Sequence, residues 1–439
     1  MAEASTSGNL YTKLLEVADR AKRDPGGRFF SLAYLVDEAA LERAYHRLRK
    51  DAAVGVDGVT KTEYGRDLPE RLRDLHGRMK GGTYRHQAIR RVEIPKEKGK
   101  TRPIGISTIE DKVVQGAIRE VLEAIYEQDF LECSYGFRPG LSAHDAIRAL
   151  NREVYEGEVN WVLEADIMSF FDKVVRTRLM EMLRERIADG RMLRLVGKCL
   201  HVGVLSGEEL FYPEEGTVQG SILSPLLANI YLHHVLDAWF EREVNPRMRG
   251  KARLIRYADD FILLFSDETD ARRVMGVLGK RMERYGLTLH PDKTRLLPFG
   301  KPPRAKREGK GPSTFDFLGF TMYWKRTRAG RWEMACKTRR ARMARAIKAV
   351  SRWCRRYRNL PVREQHAALT SRLQGHINYF GVNGNLPCVA EVVHQAKKAW
   401  FKWLNRRSQR TSFTWERFNN YLKHFPLPLP RVTAPIWGR

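Results

Sequence analysis

The sequence is expected to fold as an α+β protein, with antiparallel strands in its middle and helices before and after them. Three observations carry that expectation. Residues 252–265 set two apolar runs, Leu254-Ile255 and Phe261 to Phe265, around the polar pair Asp259-Asp260. Short β-branched and aromatic runs on either side of a turn former read as a hairpin. Residues 161–167, Trp-Val-Leu-Glu-Ala-Asp-Ile, give a further strand-like run that closes on Asp166. After about residue 337 apolar residues recur at helical spacing, with basic residues on the other faces.

The acids give the strands a chemistry. Adjacent carboxylates repel and are costly to ionise together unless a cation neutralises them. An oxygen-only donor set favours Mg²⁺, with Mn²⁺ as a substitute. Asp is also a common turn former, so the pair alone leaves an ordinary hairpin open. Asp166 shifts the balance: one carboxylate at a strand end and two on a neighbouring hairpin is what a two-metal phosphoryl-transfer site requires. Here the chain resembles the reverse transcriptases, Tyr257-Ala258-Asp259-Asp260 being similar to their YxDD box. More narrowly, it is similar to the proteins encoded by bacterial group II introns. The resemblance implies a right-hand polymerase: an N-terminal extension over 1–30, fingers over 31–160, palm over 161–325, and a basic helical thumb/maturase region over 326–439. It implies Asp166, Asp259 and Asp260 as catalytic residues that hold two Mg²⁺, with Ile167 as a further metal ligand. The implied reaction is primed DNA synthesis on an RNA template, from deoxynucleoside triphosphates.

Taken in order, residues 1–30 read as weakly ordered at their start and 31–50 as a helix. Ala53 to Thr60 is a Gly-rich loop whose spacing is not that of a phosphate loop. It is similar to the family's GxDGxT block, which the resemblance lays against template RNA. Residues 83–106 read as a hairpin with arms 88–95 and 101–106 and a basic turn, Lys96-Glu97-Lys98-Gly99-Lys100. Arg91, Lys96 and Arg102 are candidates to meet a triphosphate, since a guanidinium matches phosphate in a bidentate way. The resemblance makes Arg102 the residue that closes on the incoming nucleotide, with Lys96 as its companion.

Residues 108–130 read as a helix, followed by Ser134-Tyr135-Gly136-Phe137-Arg138-Pro139, similar to the family's SYGFRP block. Arg138 is a candidate contact to the template backbone, although a loop arginine is as readily solvated. Residues 142–157 read as a helix leading to the Asp166 strand. Phe171 stands five residues after Asp166, where the resemblance implies a ring beneath the incoming sugar that excludes a 2′-hydroxyl. Phe170 and Phe171 offer two rings, one of which is expected in the core. Residues 216–232 form a Gly-punctuated loop entering a helix, with Pro225 suited to the first turn and backbone amides open to a nucleotide. The stretch is similar to the family's QGxxxSPxLxNxxL motif and implies Gln219 near the sugar. Val218 and Ser221 stand where the family more often has Pro and Gly.

Beyond the hairpin, 269–285 suits a helix with Val274, Val277, Leu278 and Met282 inward, and Leu287-Thr288-Leu289-His290 starts a strand. The resemblance makes Lys293 the palm lysine near the triphosphate, a candidate acid for the leaving group; a solvated turn lysine fits the same residues. Residues 300–313 read as a mobile basic loop. Phe315-Asp316-Phe317-Leu318-Gly319-Phe320 is similar to the FLGF block, implying a primer grip at Phe317, Leu318 and Gly319. Three helices are expected after it. They are marked by Met343, Ile347, Val350 and Cys354; by Leu369, Leu373, Ile377 and Phe380; and by Val389, Val392 or Val393, Ala396, Trp400 and Trp403. Trp403-Leu404-Asn405-Arg406-Arg407 is family-like and implies RNA contacts by Arg406 and Arg407.

The charge agrees with a nucleic-acid partner. Of the net +27, residues 321–439 hold 26 Lys and Arg against 4 Asp and Glu, and the other 320 residues hold 53 against 48. Such segregation is the footprint of a phosphate backbone. The partners implied by the resemblance are intron RNA, an RNA template with its DNA primer, and target DNA, for splicing and retrohoming. No apolar run approaches the roughly 18 residues that span a bilayer, and no secretory signal opens the chain, so no membrane partner and a cytoplasmic location are expected. The five cysteines include no Cys-x-x-Cys, which argues against a zinc site or disulfide framework. The sequence closes with no His/Asn nuclease box, so a DNA endonuclease is expected to be absent. Two rivals stand beside this reading: a stand-alone bacterial reverse transcriptase of defence or diversity-generating type, and an RNA-binding splicing factor with a decayed site. The basic C-terminal region favours the intron type over the first; the three carboxylates, Gln219 and Phe171 argue against the second.

Overall fold

The computed structural model describes residues 3–95, 101–156, 158–206, 209–211, 215–217, 219–302, 313–407 and 414–436. The chain opens on a long helix, α1 (Glu3–Arg23), where weak order was expected. Its apolar side, Leu14, Val17 and Ala21, packs into the main core. The turn after it is tied down by Arg186, which donates to the Asp24 carbonyl at 2.9 Å and pairs with Asp129. Helix α2 (Glu38–Arg47) is shorter than the expected 31–50, because 33–35 form a 3₁₀ turn and Asp37 caps the helix at Ala40 N–H. The Gly-rich loop ends on Thr60, which forms a capping box with Glu63 for the single turn α3 (Lys61–Tyr64).

After α4 (Leu68–Lys80), strands β1 (Ile89–Pro95) and β2 (Thr101–Ile106) form the expected antiparallel hairpin. Lys96 and the rest of its turn lie outside the described residues. Helices α5 (Ile109–Asp129) and α6 (Ala143–Glu156) fall where expected. Strand β3 (Trp161–Asp166) leads through the short α7 (Phe170–Lys173) to α8 (Arg176–Arg186) and α9 (Gly190–Leu200). Strands β4 (Val204–Ser206) and β5 (Glu209–Phe211) extend the first hairpin into a sheet of order β2-β1-β4-β5. Helix α10 (Ser224–Leu232) runs on into two π-helical stretches, His233–Asp237 and Phe240–Val244.

The central sheet follows. Strands β6 (Ala252–Tyr257) and β7 (Asp260–Phe265), helix α11 (Glu268–Arg284) and strand β8 (Arg295–Pro298) complete an antiparallel sheet of order β6-β7-β3-β8. Its pleat explains the unbroken apolar run Phe261 to Phe265. Leu163, Ala165, Phe261, Leu263 and Phe265 face one core, whereas Val162, Ile262 and Leu264 face another, so both sides are covered. Two details differ from the sequence reading. Val277 is 47% exposed, since Val274, Leu278 and Met282 already fill the inward stripe of α11. The strand expected at 287–290 reduces to one bridge, Ile167 to Leu289, because Pro291 opens a 3₁₀ turn.

Strands β9 (Phe315–Phe317), β10 (Phe320–Arg326) and β11 (Trp332–Thr338) form a separate three-stranded sheet. The boundary read at 325/326 thus falls inside a paired hairpin. Most of the expected basic loop, residues 303–312, lies outside the described residues. Among the described residues four helices, not three, follow: α12 (Arg340–Arg356), α13 (Val362–Phe380), α14 (Leu386–Leu404) and α15 (Trp415–His424). They share their own core of Val350, Cys354, Leu369, Leu373, Val392, Ala396, Trp400 and Phe418. The tail then returns to the second core, where Ala434 and Ile436 are buried. Among the described residues, no helix is long and apolar enough to cross a membrane.

Candidate active site

The register of the central sheet assembles the three acids. Asp166, the last residue of β3, stands opposite Asp260, the first of β7, and Tyr257 of β6 pairs with Asp260 on the other side. Asp259 lies between them in a two-residue turn with Ala258, whose φ of 57° is left-handed. An L-residue there costs roughly 1–2 kcal/mol, so surrounding contacts must hold it. Burial, and then the charge of Asp166, raises the Asp259 carboxyl above its ordinary value, against an opposing bond to its own backbone. Burial and the charges of Asp259 and Asp166 push Asp260 up to about 6. Asp260 nonetheless is exposed to solvent, so water screens part of this repulsion. Lys293, on the 3₁₀ turn Pro291–Lys293, places Nζ 2.6 Å from Asp166 Oδ2.

The donor set fits a hard cation. Three carboxylates share one edge, two of them hold their protons unusually well, and an ammonium already stands on the third. Among the described residues no three His, Cys, Asp or Glu side chains converge into a preformed metal cage. Like-charge repulsion is the physical reason that a cation would have to complete the arrangement. The Ile167 carbonyl belongs to the same edge. The flanking bonds His290 N to Asp166 O and Met168 N to Thr288 O leave Ile167's own peptide groups directed away from Leu289, toward the hairpin. Asp166, Asp259, Asp260 and that carbonyl would hold two Mg²⁺, which when bound supply charge neutralisation and Lewis acidity at a phosphoryl group.

The proton affinity of Asp260 has a measurable sign. Its folded value lies above its unfolded one, so its contribution to stability is fully present below about pH 4 and is lost as pH rises toward about 6. Metal-free wild type should lose thermal stability over that window relative to Asp260→Asn. Mg²⁺ should remove the difference at neutral pH. Parallel melting curves for the two proteins, in chelator, from pH 4 to 7 would contradict this assignment.

A second wall comes from the first sheet and the loop before α10. Gly105 N–H donates to the Gln219 carbonyl at 2.7 Å, and a Cβ on Gly220 would meet the Gly105 carbonyl at 2.5 Å. That approach brings Arg102 Nε to Gln219 Oε1 at 2.7 Å, so two candidate nucleotide contacts lie in one hydrogen bond. Ile222 N–H, three residues on, is held by Gln115 Oε1 of α5 at 3.1 Å. Phe170 is the core ring, 2% exposed; Phe171 is half-buried, stands edge-on to it, and accepts Thr217 N–H on its carbonyl at 2.7 Å. The backbone of Phe171 is therefore fixed to the Gln219 loop while its ring stays partly open. Phe171→Ala should raise ribonucleotide incorporation relative to deoxynucleotide at least tenfold in a competition assay, with melting little changed. The same shift from Phe170→Ala and none from Phe171→Ala would move the gate by one residue.

Other expected contacts are spent within the fold. Arg138, expected at the template backbone, has its guanidinium engaged within the fold: it pairs with Glu127 at 2.9 Å, donates to the Leu131 and Ser134 carbonyls and lies over Phe130. Phe317 and Leu318 bury their side chains in the second core, and Tyr379 Oη donates to the Leu318 carbonyl at 2.9 Å. The backbone turn at Leu318 and Gly319 is what remains of that block for a primer. Arg407 donates to the Arg358 and Leu360 carbonyls, closing the turn after α12, whereas exposed Arg406 lies over the Trp403 ring. The sequence reading missed Arg342, at the start of α12, whose charge acts on Asp260 from the C-terminal helices. It also missed Arg256 and Asn229, which brace the hairpin.

Comparison with known proteins agrees with this geometry. Residues 94–322 match the reverse transcriptase (RNA-dependent DNA polymerase) family. The chain is 34% identical over 354 residues to protein YkfC of Escherichia coli K12, covering 72% of this chain and 88% of that protein. It is 36% identical over 217 residues to the group II intron-encoded protein LtrA of Lactococcus lactis, covering 48% of this chain and 36% of LtrA. A 91 kDa protein in the cob intron of Schizosaccharomyces pombe is 29% identical over 344 residues, 66% of this chain and 42% of that protein. The chain thus spans most of YkfC but less than half of the two intron proteins. With its acids on the edge of a four-stranded antiparallel sheet and the family match running through that sheet, the chain belongs to the reverse transcriptase family, in its group II intron reverse transcriptase and maturase branch.

Proposed function

We propose that the protein copies an RNA template into DNA from a primer 3′-hydroxyl, and that it binds a group II intron RNA to assist its splicing and its retrohoming by target-primed reverse transcription. The observation that carries the reading is the proximity of two walls, Asp166, Asp259 and Asp260 on one and Arg102 and Gln219 on the other, close enough that the Arg102 charge acts on Asp259. Arg102 and Lys293 offer cations to a triphosphate, and Phe171 offers a surface beneath its sugar. The intron half rests on the names of LtrA and the cob-intron protein and on the basic C-terminal helices. Purified protein given an annealed DNA primer, an RNA template, Mg²⁺ and deoxynucleotides should extend the primer. It should also accelerate splicing of the intron that flanks its reading frame. No extension refutes the polymerase reading; no effect on splicing favours the stand-alone reverse transcriptase.

The basic region is testable without deleting it, which matters because Ala434 and Ile436 pack in the palm-side core. Changing Arg352, Arg355, Lys402 and Arg406 to Gln should weaken binding to structured RNA at low salt. Each lost phosphate contact flattens the logarithmic salt dependence by about 0.9, so losing four contacts should lower the slope by about 3.6. An unchanged slope would move the RNA surface elsewhere.

A further inference from the structure

Arg256, on β6 three residues before Asp259, is a fully buried guanidinium, and all five of its N–H groups are used. Nε and Nη2 pair with the two Asp237 oxygens at 2.7 and 2.5 Å. Nη1 donates to Asn229 Oδ1 at 2.9 Å and to the Ala258 carbonyl at 3.1 Å, and Nη2 also donates to Ser134 Oγ at 2.7 Å. Its backbone is laced to the Cys133–Tyr135 loop in both directions, Arg256 N–H to Cys133 O and Tyr135 N–H to Arg256 O. Asn229 in turn donates from Nδ2 to the Gly136 carbonyl at 2.7 Å. One side chain thus joins the loop after α5, the helix that follows Gln219, and the turn that carries Asp259.

The winding of the helix serves this purpose. Asn229 and Asp237 are eight residues apart, and in α-geometry eight residues overshoot two turns by about 80°. The stretch between them is π-helical from His233 to Asp237. Its wider turns advance fewer degrees per residue and remove the overshoot, so both side chains reach the same guanidinium. A buried ion pair adds little net stability over an apolar pair of equal volume, so its value lies in what it fixes. The hydrogen bond to Ala258 shows what that is, since it grips the peptide that leads into Asp259 and sits in a left-handed conformation.

We propose that Arg256 is a positioning residue for polymerisation: its guanidinium, oriented by Asp237 and Asn229, holds the Ala258 carbonyl and so sets the Asp259 carboxylate. The inference rests on the reading of Asp259 as a catalytic residue. Two variants separate positioning from simple support. Arg256→Lys keeps a charge against Asp237 but loses the planar fork that reaches Ala258. Arg256→Met with Asp237→Leu removes both charges together and leaves no buried ion unpaired. Primer extension on an RNA template is read as single-turnover kcat and deoxynucleotide KM, alongside melting and primer–template affinity. Both variants should melt below wild type but remain folded at the assay temperature and bind primer–template alike, with kcat down at least tenfold for Lys and a hundredfold for the double variant. KM should stay within threefold. Wild-type kcat in either folded variant overturns the proposal, as does a loss confined to KM or one that tracks the unfolded fraction. Wild type and Asp259→Ala run beside them: if those two extend equally, the reading of Asp259 has failed rather than the role of Arg256.

Discussion

Asp259→Ala should abolish RNA-templated DNA synthesis, lowering the single-turnover rate by several powers of ten. Charge stabilisation by ligated metal is worth several kcal/mol at the transition state, and each 1.36 kcal/mol is a factor of ten. The substitution should not harm the fold. It removes a half-buried acid whose charged form is disfavoured by burial and by the charge of Asp166, so the metal-free protein should melt no lower than wild type. Splicing by a group II intron is chemistry of the RNA, and a protein assists it by binding the folded form. Asp259→Ala should therefore leave RNA affinity and splicing assistance near wild type. Arg406→Glu, on an exposed residue in the turn just past α14, should weaken both while sparing the metal site. Arg407→Glu would mix the two effects, because Arg407 is bonded to the Arg358 and Leu360 carbonyls. Undiminished extension by the Asp259 variant would sink the site. Lost splicing with normal RNA affinity would sink the division of labour.

What was legible in the sequence follows from how local each signal is. The hairpin at 252–265 and the strand at 161–167 combine short apolar runs with acids at their ends, and both landed within a residue or two. The apolar stripes of α12, α13 and α14 were read because a helix face repeats within one stretch of chain. Helices α8 and α9 were not read: their sequence is crowded with arginines, and only long-range packing decides which of them, such as Arg186, turn inward. Helix α15 was missed for a similar reason, with Phe418 its one fully buried side chain among polar neighbours. Arg138 looked like a phosphate contact because Glu127, its partner, lies eleven residues earlier on another element. Arg256 carried no local sign at all. A lone arginine in a strand reads as a surface charge, and its burial depends on an aspartate that only a π-helical register brings into reach.

The second large effect is expected at Gly136, in the loop that Arg256 and Asn229 hold. A Cβ there would meet Ala258 N at 2.3 Å, the Tyr257 carbonyl carbon at 2.9 Å and Ala258 Cα at 3.2 Å, all of them backbone of the catalytic turn. Neither side can yield cheaply. The loop is bonded to Arg256 on both sides of Ser134, and the Gly136 carbonyl is held by Asn229. The turn is short and already left-handed at Ala258. Gly136→Ala should therefore push the tip of the hairpin outward. Overpacking of this kind costs about 1–3 kcal/mol, and a displacement of about 1 Å at a reacting group can cost 100-fold in rate. The expected result is a modest fall in melting temperature together with a loss of about two powers of ten in primer extension. Gly140, four residues on, supplies the control. Its φ of 73° makes alanine unfavourable by roughly 1–2 kcal/mol, but a Cβ there would meet nothing within 4 Å. Gly140→Ala should thus lower stability by a similar amount and leave the rate of synthesis unchanged. Equal rates for the two variants would show that contact with the turn is not what Gly136 provides; a selective loss at Gly136 would place the loop after α5 among the parts that aim Asp259.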